Sequence, residues 1–264
     1  MDHRQAINSL KPIFRFPMRD KDSANRFLVG SALSLAGFLI PILPSLLAYG
    51  YAIRVMRQTA TGDSPSMPAW DDWNAYIKDG VRGALVSFAC FFPAFLVFLL
   101  GFGLYLAAFI ALAMADSGGS QSYAAFASLA LLATAALFVA LPIGSILLFL
   151  GAIPLPLATA HFAIKDSLAA AFRIREWLPI LRANKLGYFI SWVIVAGLFG
   201  MTYLVFFTAY YTLILICLLP FLMAPAVFYT MLVVGALFGN VYHESALAIE
   251  PEPLAAESGS QVMG

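Results

Sequence analysis

Two adjacent carboxylates, Asp71 and Asp72, are the side chains of this sequence that are best placed for chemistry. Neighbouring carboxylates can bind a cation or work as a general acid and a general base. An enzyme built on them would need a cleft that also holds His161 or Lys165. The elements around the two carboxylates therefore decide whether they form a site.

The flanking residues favour a structural role for the same pair. Trp70 and Trp73 enclose the two carboxylates and begin an apolar helix face that continues at Ile77 and Val81. Trp is enriched at membrane surfaces, and carboxylates are favoured at the positive end of a helix. The pattern predicts an interfacial helix that starts near Pro68. Its anchor, which is also the candidate interaction site, consists of Trp70, Asp71, Asp72, Trp73 and Lys78.

The histidines give a weaker signal, because His3, His161 and His243 are far apart in the sequence. His161 lies at the end of an apolar run, where it could bind a metal or carry a proton. A histidine bonded to the backbone is the simpler interpretation. The sequence has no His-x-x-x-His, no Gly-x-Ser-x-Gly and no glycine-rich phosphate loop. We predict no catalytic residue and no metal site, and the sequence leaves any cofactor unknown.

A basic amphipathic segment occupies residues 165–185. Trp177, a further predicted interfacial anchor and candidate interaction residue, lies on its apolar side with Ile174, Leu178 and Leu181. Such segments attract anionic lipid, but a solvated cytoplasmic flank has the same pattern and is the preferred interpretation. The residues that would contact lipid headgroups are Arg173, Arg175, Arg182 and Lys185.

Two rows of small residues predict close contacts between helices. Gly235 and Gly239 form one Gly-x-x-x-Gly motif, and Ala107, Ala111 and Ala115 form a second row. Such rows let helix backbones approach closely within a chain, between two copies or against another membrane subunit. The motif by itself does not choose among these partners.

The amino-acid composition indicates that the residues discussed above belong to a protein of membrane-spanning segments. Of the 264 residues, 62% are apolar and 11% are charged, against roughly 45–50% and about 25% in soluble domains. The sequence predicts an integral membrane protein whose first partner is the lipid bilayer. Its polar stretches are too short for a groove-reading module, so nucleic acid is not an expected partner. All Lys, Arg, Asp and Glu residues fall at or outside the predicted membrane boundaries, which argues against an ion-coupled pump.

The predicted membrane segments come from four uncharged runs, residues 27–53, 83–115, 121–164 and 186–242. The last run is long enough for two spans with a reversal near Thr208 to Thr212. The first contains Pro41 and Pro44, which interrupt a helix, so it is either one kinked crossing or a hairpin that turns at Ile40 to Pro44. We predict an all-α polytopic helical bundle of five to six membrane segments, in three hairpin-like units with interfacial amphipathic helices.

The basic residues lie in three clusters. Six precede Phe27, four lie in residues 54–82 and five lie in residues 165–185. Basic segments stay on the cytoplasmic side of bacterial membranes, and the hairpin alternative puts all three clusters on that side. The predicted location is the prokaryotic cytoplasmic membrane, with the N-terminus and the basic loops in the cytoplasm. The predicted parts are a basic interfacial segment (1–26), one transmembrane domain (27–243) and an acidic disordered tail (244–264).

Several sequence motifs, taken in chain order, resemble those of one protein family. They are the proline-broken first segment, Gly50-Tyr51 to Arg57, Pro68-x-Trp70-Asp71-Asp72-Trp73, Lys78-Asp79-Gly80, Pro93, Ala171-Phe172 to Asn184 and Phe228-Tyr229 to Tyr242. Over residues 10–243 the chain is similar to the bacterial and archaeal membrane family catalogued as domain of unknown function 4013. The resemblance implies a helical integral membrane protein of prokaryotic type, and it carries over no catalytic residue.

The sequence therefore predicts anchors and packing motifs without a catalytic centre. The expected function is that of a non-enzymatic structural, accessory or assembly subunit of a membrane complex. Its expected partners are other membrane subunits, a second copy or anionic lipids. The alternative is a passive transporter or lipid-handling carrier built from repeated helical hairpins.

Overall fold

The computed structural model describes residues 11–115, 120–212 and 216–249, and every regular element in these ranges is helical. The predicted all-helical class is confirmed there. In chain order the α-helices are α1 (residues 11–15), α2 (Lys21–Ala36), α3 (Leu43–Ala60), α4 (Trp73–Ala115), α5 (Ser120–Ala152), α6 (Leu155–Lys165), α7 (Leu168–Ala171), α8 (Ile174–Ala183), α9 (Lys185–Tyr211) and α10 (Leu219–Leu247). Two 3-10 helices are Phe16–Met18 and Ile216–Leu218. Most of the tail predicted over 244–264 and the first part of the segment predicted over 1–26 lie outside the described residues.

Four helical stretches of the described residues are long and apolar enough to cross a membrane, which supports an integral membrane protein. They are Trp73–Met114, Tyr123–Lys165, Lys185–Tyr211 and Leu219–Leu247. The last two share the run 186–242, and the first of them ends at Tyr211, within the predicted reversal. The count of five to six segments also includes the run 27–53 and stays a prediction.

That first uncharged run is folded as parts of two helices with a break between them. α2 ends at Ala36 and α3 begins at Leu43, with Pro41 in the connection and Pro44 in the first turn of α3. Pro has no backbone N–H and is tolerated in a first turn, where that N–H would have no helical partner. The two helices pack against each other, and the break lies at the predicted prolines, while the membrane hairpin stays a prediction.

The chain divides into two compact units, and the first contains residues 1–84 and 156–264. Its centre is α10, which packs against α2, α3, α8 and α9. Phe228, Leu232, Val233 and Ala236 in the middle of α10 are each 0% exposed. Full burial of a large apolar side chain is worth roughly 1.5–3 kcal/mol, so this unit has a well-packed protein core.

The second unit, residues 85–155, contains the rest of α4 and all of α5. Its helices meet through small residues. A Cβ atom added to Gly101 would lie 2.6 Å from the Cβ of Ala140, and Ala108, Ala130 and Ala133 form a small buried cluster. Most of its large apolar side chains are exposed, as expected for helices surrounded by lipid.

The small-residue row predicted on α4 is not the row that packs within this unit. Ala107 is exposed and Ala111 is half-buried, while the side chain of Ala115 lies outside the described residues. The packed positions are Gly101 and Ala108, which are seven residues apart and therefore share one helix face. The close contact between Gly101 and Ala140 shows that this face of α4 packs against α5.

Candidate functional site

The segment between α3 and α4 is held against α2 and α3 by an aromatic cluster. The ring of Trp70 stacks on Tyr51 with centroids 4.1 Å apart, and its Nε1–H donates to the Arg26 carbonyl at 2.9 Å. The Tyr51 hydroxyl donates to the Pro68 carbonyl at 2.7 Å, and the Arg26 guanidinium donates to the Met67 carbonyl. The ring of Trp70 thus makes its contacts inside the protein.

The interfacial helix predicted from Pro68 is not a separate element. α4 begins at Trp73 and continues directly into the long apolar helix. Asp72 precedes it and caps it, since its Oδ1 accepts the Ala75 N–H at 3.1 Å. The carbonyls of residues 67–69 accept from side chains of residues 26, 51 and 76, so this stretch is extended along the aromatic cluster.

Most of the predicted site residues of this segment lie at the surface. Asp72 Oδ2 is 3.7 Å from the Arg54 guanidinium, and exposed ion pairs of this kind are weak. Trp73 is 42% exposed. The exposed residues are Asp71, Asp72, Trp73 and Lys78.

A buried ion pair that the sequence analysis missed lies close to this segment. Asp79 is 4% exposed, and its Oδ2 accepts from Arg57 Nη1 at 3.1 Å. Arg57 Nε also donates to the Ala163 carbonyl at 2.6 Å. Asp166 Oδ1 lies 3.8 Å from Arg57 Nη2 and 2.9 Å from Arg82 Nη1. The cluster joins α3 and α4 to the end of α6.

Two glycines bring the partners of this ion pair together. A Cβ added to Gly50 would lie 1.9 Å from the Tyr76 carbonyl oxygen, and one added to Gly80 would lie 2.0 Å from the Leu46 carbonyl oxygen. Only glycine permits this approach of α3 and α4. Gly50 is two helical turns before Arg57, which puts both on one face of α3. This spacing is the signal from which the pair could have been predicted.

His161 is 3% exposed and bonded to two side chains, so the expected backbone partner was wrong. Its Nδ1 lies 2.7 Å from the Tyr242 hydroxyl, and its Nε2 lies 3.0 Å from Glu176 Oε2. Since an ionised carboxylate only accepts, Nε2 carries a proton, and Nδ1 of a neutral ring then accepts from Tyr242. The hydrogen bond from His161, and then the hydrogen bond and charge of Arg173, hold the pKa of the Glu176 carboxyl below its usual value.

The network can hold a proton at His161 Nε2. Within the described ranges, no hydrogen bond or ion pair joins it to Asp71 or Asp72. In the same ranges, no group of three or more His, Cys, Asp or Glu side chains is placed to hold a metal ion. The carboxylates Asp71 and Asp72 and the imidazole of His161, which the sequence offered for acid–base chemistry, therefore do not bond to one another in the described residues.

The predicted amphipathic stripe is present in α8, with one correction. Trp177 is buried and donates to the Ala171 carbonyl at 3.0 Å. Ile180 is also buried, whereas Ile174 is 55% exposed because it begins the helix at the end of the packed face. The basic residues Arg173, Arg175, Arg182 and Lys185 are all exposed.

The motif of Gly235 and Gly239 is used inside the chain. A Cβ added to Gly235 would lie 2.7 Å from the Ala52 carbonyl oxygen, and one added to Gly239 would lie 2.0 Å from Thr59 Oγ1. Both neighbours belong to α3. Of the partners that the sequence left open, the structure places α3 of the same chain against this motif.

These helices and contacts define the class as a helical integral membrane protein. The family described as a protein of unknown function, DUF4013, matches residues 33–211, and the chain belongs to this family. The matched region includes Trp70, the Arg57–Asp79 pair and His161, and it ends before α10. No curated protein and no solved structure matches the chain.

Proposed function

We propose that this protein is a non-enzymatic accessory or assembly component of a larger complex in the prokaryotic cytoplasmic membrane. The observation that supports this function is the length of the apolar hairpin of α4 and α5. At about 1.5 Å per residue, the uncharged residues 83–115 extend over about 50 Å, whereas a hydrocarbon core is about 30 Å thick. The hairpin is therefore longer than a bilayer requires.

Tilt accounts for only part of the excess. At about 40°, the upper end of the usual range, a helix needs about 39 Å to cross a core of about 30 Å. About 10 Å of apolar helix is then left outside the hydrocarbon. Exposed apolar surface costs roughly 25 cal/mol per Å² in water, so a protein partner that covers one end of the hairpin is favoured.

The charged side chains support a role without catalysis. Asp72 caps α4, Asp79 pairs with Arg57, and Glu176 accepts from His161. These carboxylates are used in folding the first unit.

A photo-crosslinking residue tests the accessory role in native membranes. It is placed at Phe88 or Ile110, which are exposed near the two ends of the hairpin part of α4, and at Phe199, which is exposed within α9. We expect a discrete protein adduct from Phe88 or Ile110 and none from Phe199, with the partner identified by mass spectrometry. Lipid adducts alone from both hairpin positions would contradict the proposal.

The proposed orientation has the N-terminus and the basic loops in the cytoplasm. It is supported by contacts between the three basic clusters, since Arg26 donates to the Met67 carbonyl and Arg82 Nη1 lies 2.9 Å from Asp166 Oδ1. Single cysteines at Ser9, Ser64, Ser167 and Ser258, in a chain without Cys90 and Cys217, should be labelled from the cytoplasmic side. A cysteine at Gly119 should be labelled from the other side. Labelling of Ser9 and Ser64 from opposite sides would overturn this orientation.

A lipid-handling or passive carrier is the second candidate. The helix breaks between α2 and α3 and at Ile153–Pro154 favour it, because they leave backbone polar groups outside regular helices. Reconstituted vesicles distinguish the two functions. A carrier would accelerate the transfer of a fluorescent lipid between leaflets, whereas an accessory component would leave the protein-free rate unchanged.

A further inference from the structure

The first unit contains an open groove of about 920 Å³ between the N-terminal segment, α2, α9 and α10. Its apolar lining includes Phe27, Val205, Leu222 and Ala226, and two guanidinium groups, those of Arg15 and Arg19, stand at its edge. Ligand pockets commonly measure about 300–1,000 Å³. The groove therefore has the volume for a ligand with an extended apolar part.

The N-terminal segment is fixed against α10, so one wall of the groove is well defined. Ile13 and Phe16 are 3% and 2% exposed, and the Tyr229 hydroxyl donates to the Phe14 carbonyl at 3.0 Å. Arg15 and Arg19 are exposed on the same short segment. Burial of the apolar residues thus leaves the two basic side chains at the open side.

The two guanidinium groups are available to an anion. Among the residues that the structure describes, neither Arg15 nor Arg19 forms an ion pair with a carboxylate. The adjacent carboxylate, Asp20, accepts the Ser23 N–H at 2.7 Å and caps α2. Lys11 lies beside both arginines in an adjoining cavity of about 440 Å³. The edge of the groove is therefore positively charged.

We propose that this groove binds one anionic phospholipid of the bilayer. Arg15 and Arg19 contact the phosphate, because guanidinium groups bind phosphate oxygens through paired charge-assisted hydrogen bonds. An acyl chain lies on the apolar lining at Leu222 and Ala226. The site belongs to the first unit and does not depend on the accessory role proposed for the hairpin.

Native mass spectrometry of the detergent-purified full chain tests this site. Phosphatidylglycerol and phosphatidylcholine with identical acyl chains are added separately, and one tightly retained phosphatidylglycerol is expected. The variant R15Q/R19Q should bind phosphatidylglycerol about tenfold more weakly, which corresponds to about 1.4 kcal/mol. The matched control K78Q/K165Q removes the same charge from exposed positions outside the groove and should bind like the original chain.

The variant A226W fills the groove and retains both arginines. We expect it to lose the retained lipid while its helical content by circular dichroism stays unchanged. If R15Q/R19Q does not fold, A226W alone tests whether the groove binds the lipid. Equal binding of both lipids, an equal loss in K78Q/K165Q, or full binding by A226W would overturn the proposal. Glycerol phosphate, which has no acyl chains, is tested as a competitor of phosphatidylglycerol. If it displaces the lipid at the same concentration, the groove binds a free phosphate and the phospholipid proposal is wrong.

Discussion

The central helix of the first unit, α10, and the helices of the second unit use apolar residues in opposite ways. In the first unit, 56% of the most apolar stretch of α10 is buried within the protein. The corresponding fractions are 11% for α4 and 6% for the stretch that begins with α5, and α9 of the first unit is also 11% buried. Hydropathy makes all of these helices candidate membrane spans. The buried fractions show in addition that α10 is a core helix, whereas most of the apolar surface of the hairpin helices is exposed.

The units also differ in polar contacts. The ion pairs among the described residues all lie in the first unit, and residues 85–115 and 120–155 contain no charged side chain. The first unit is therefore stabilised by close backbone contacts, ion pairs and an aromatic cluster, while the hairpin depends on lipid and small-residue contacts. Substitutions of the same type should thus have different effects in the two units.

The largest difference is expected for glycine. A Cβ at Gly50 would lie 1.9 Å from a backbone oxygen of α4, whereas one at Gly103 in the hairpin meets nothing within 4 Å. G50A should destabilise the first unit by about 3 kcal/mol through this clash. G103A should be neutral or slightly stabilising, because Ala favours a helix by about 1 kcal/mol. Thermal unfolding in detergent measures both, and equal melting temperatures would break the comparison.

The buried ion pair should have the next largest effect. D79N keeps the size of the side chain but leaves Arg57 with one charge partner fewer in a mostly buried setting. Removing one member of a fully buried pair costs about 3–5 kcal/mol, and the partial exposure of Arg57 reduces the expected loss to about 2 kcal/mol. The neighbouring exposed Lys78 gives the control, since K78Q should change stability by less than about 0.5 kcal/mol. An equal effect of the two substitutions would show that the pair contributes nothing.

Substitutions of Trp70 and Trp73, at the end of the segment between α3 and α4, should show a smaller difference in their effect on stability. W70F retains an aromatic ring on Tyr51 but loses the hydrogen bond to the Arg26 carbonyl, which is worth about 1 kcal/mol. W73F removes an indole that is 42% exposed, and little change in the folded state is expected. Comparison of the two melting temperatures separates internal packing at Trp70 from anchoring at the membrane surface. A larger loss for W73F would restore the interfacial interpretation of both residues.

Much of the fold could be predicted because it depends on local patterns. Uncharged length defines α4, α5, α9 and α10, and the prolines at 41 and 44 locate the break between α2 and α3. The start of α4 could not be placed in the same way. Its apolar spacing extends back to Trp70, but tertiary hydrogen bonds to the carbonyls of residues 67–69 hold that stretch outside the helix.

The candidate site was harder to predict because its contacts join distant residues. His161 and Tyr242 are 81 positions apart, and Arg57 and Ala163 are 106 apart. No helix periodicity links such pairs. The glycines at 235 and 239 were recognisable as a packing motif, yet the sequence could not show that α3 of the same chain would occupy it.

The smallest predicted effect concerns pH and is confined to the first unit. The pKa of the Glu176 carboxyl is lowered in the folded protein, chiefly by its hydrogen bond with His161. A group with a lowered folded pKa stabilises the fold above its unfolded pKa, and this contribution is lost as the pH falls through the folded pKa. The ordinary value for this carboxyl is 4.5, so its contribution should be constant near neutral pH and disappear in the acid range below that value.

The variant E176Q isolates this contribution, because the amide oxygen still accepts from His161 but does not titrate. The original chain should melt slightly above E176Q at pH 7, and the difference should shrink as the pH falls below 4.5. The effect is small because Glu176 is 41% exposed and its charge is screened by water. Hydrogen exchange in α5 is the internal control, since its uncharged residues should show the same protection at both pH values. Acid-induced exchange in α5 that matches the exchange in α8 would show that the two units unfold together.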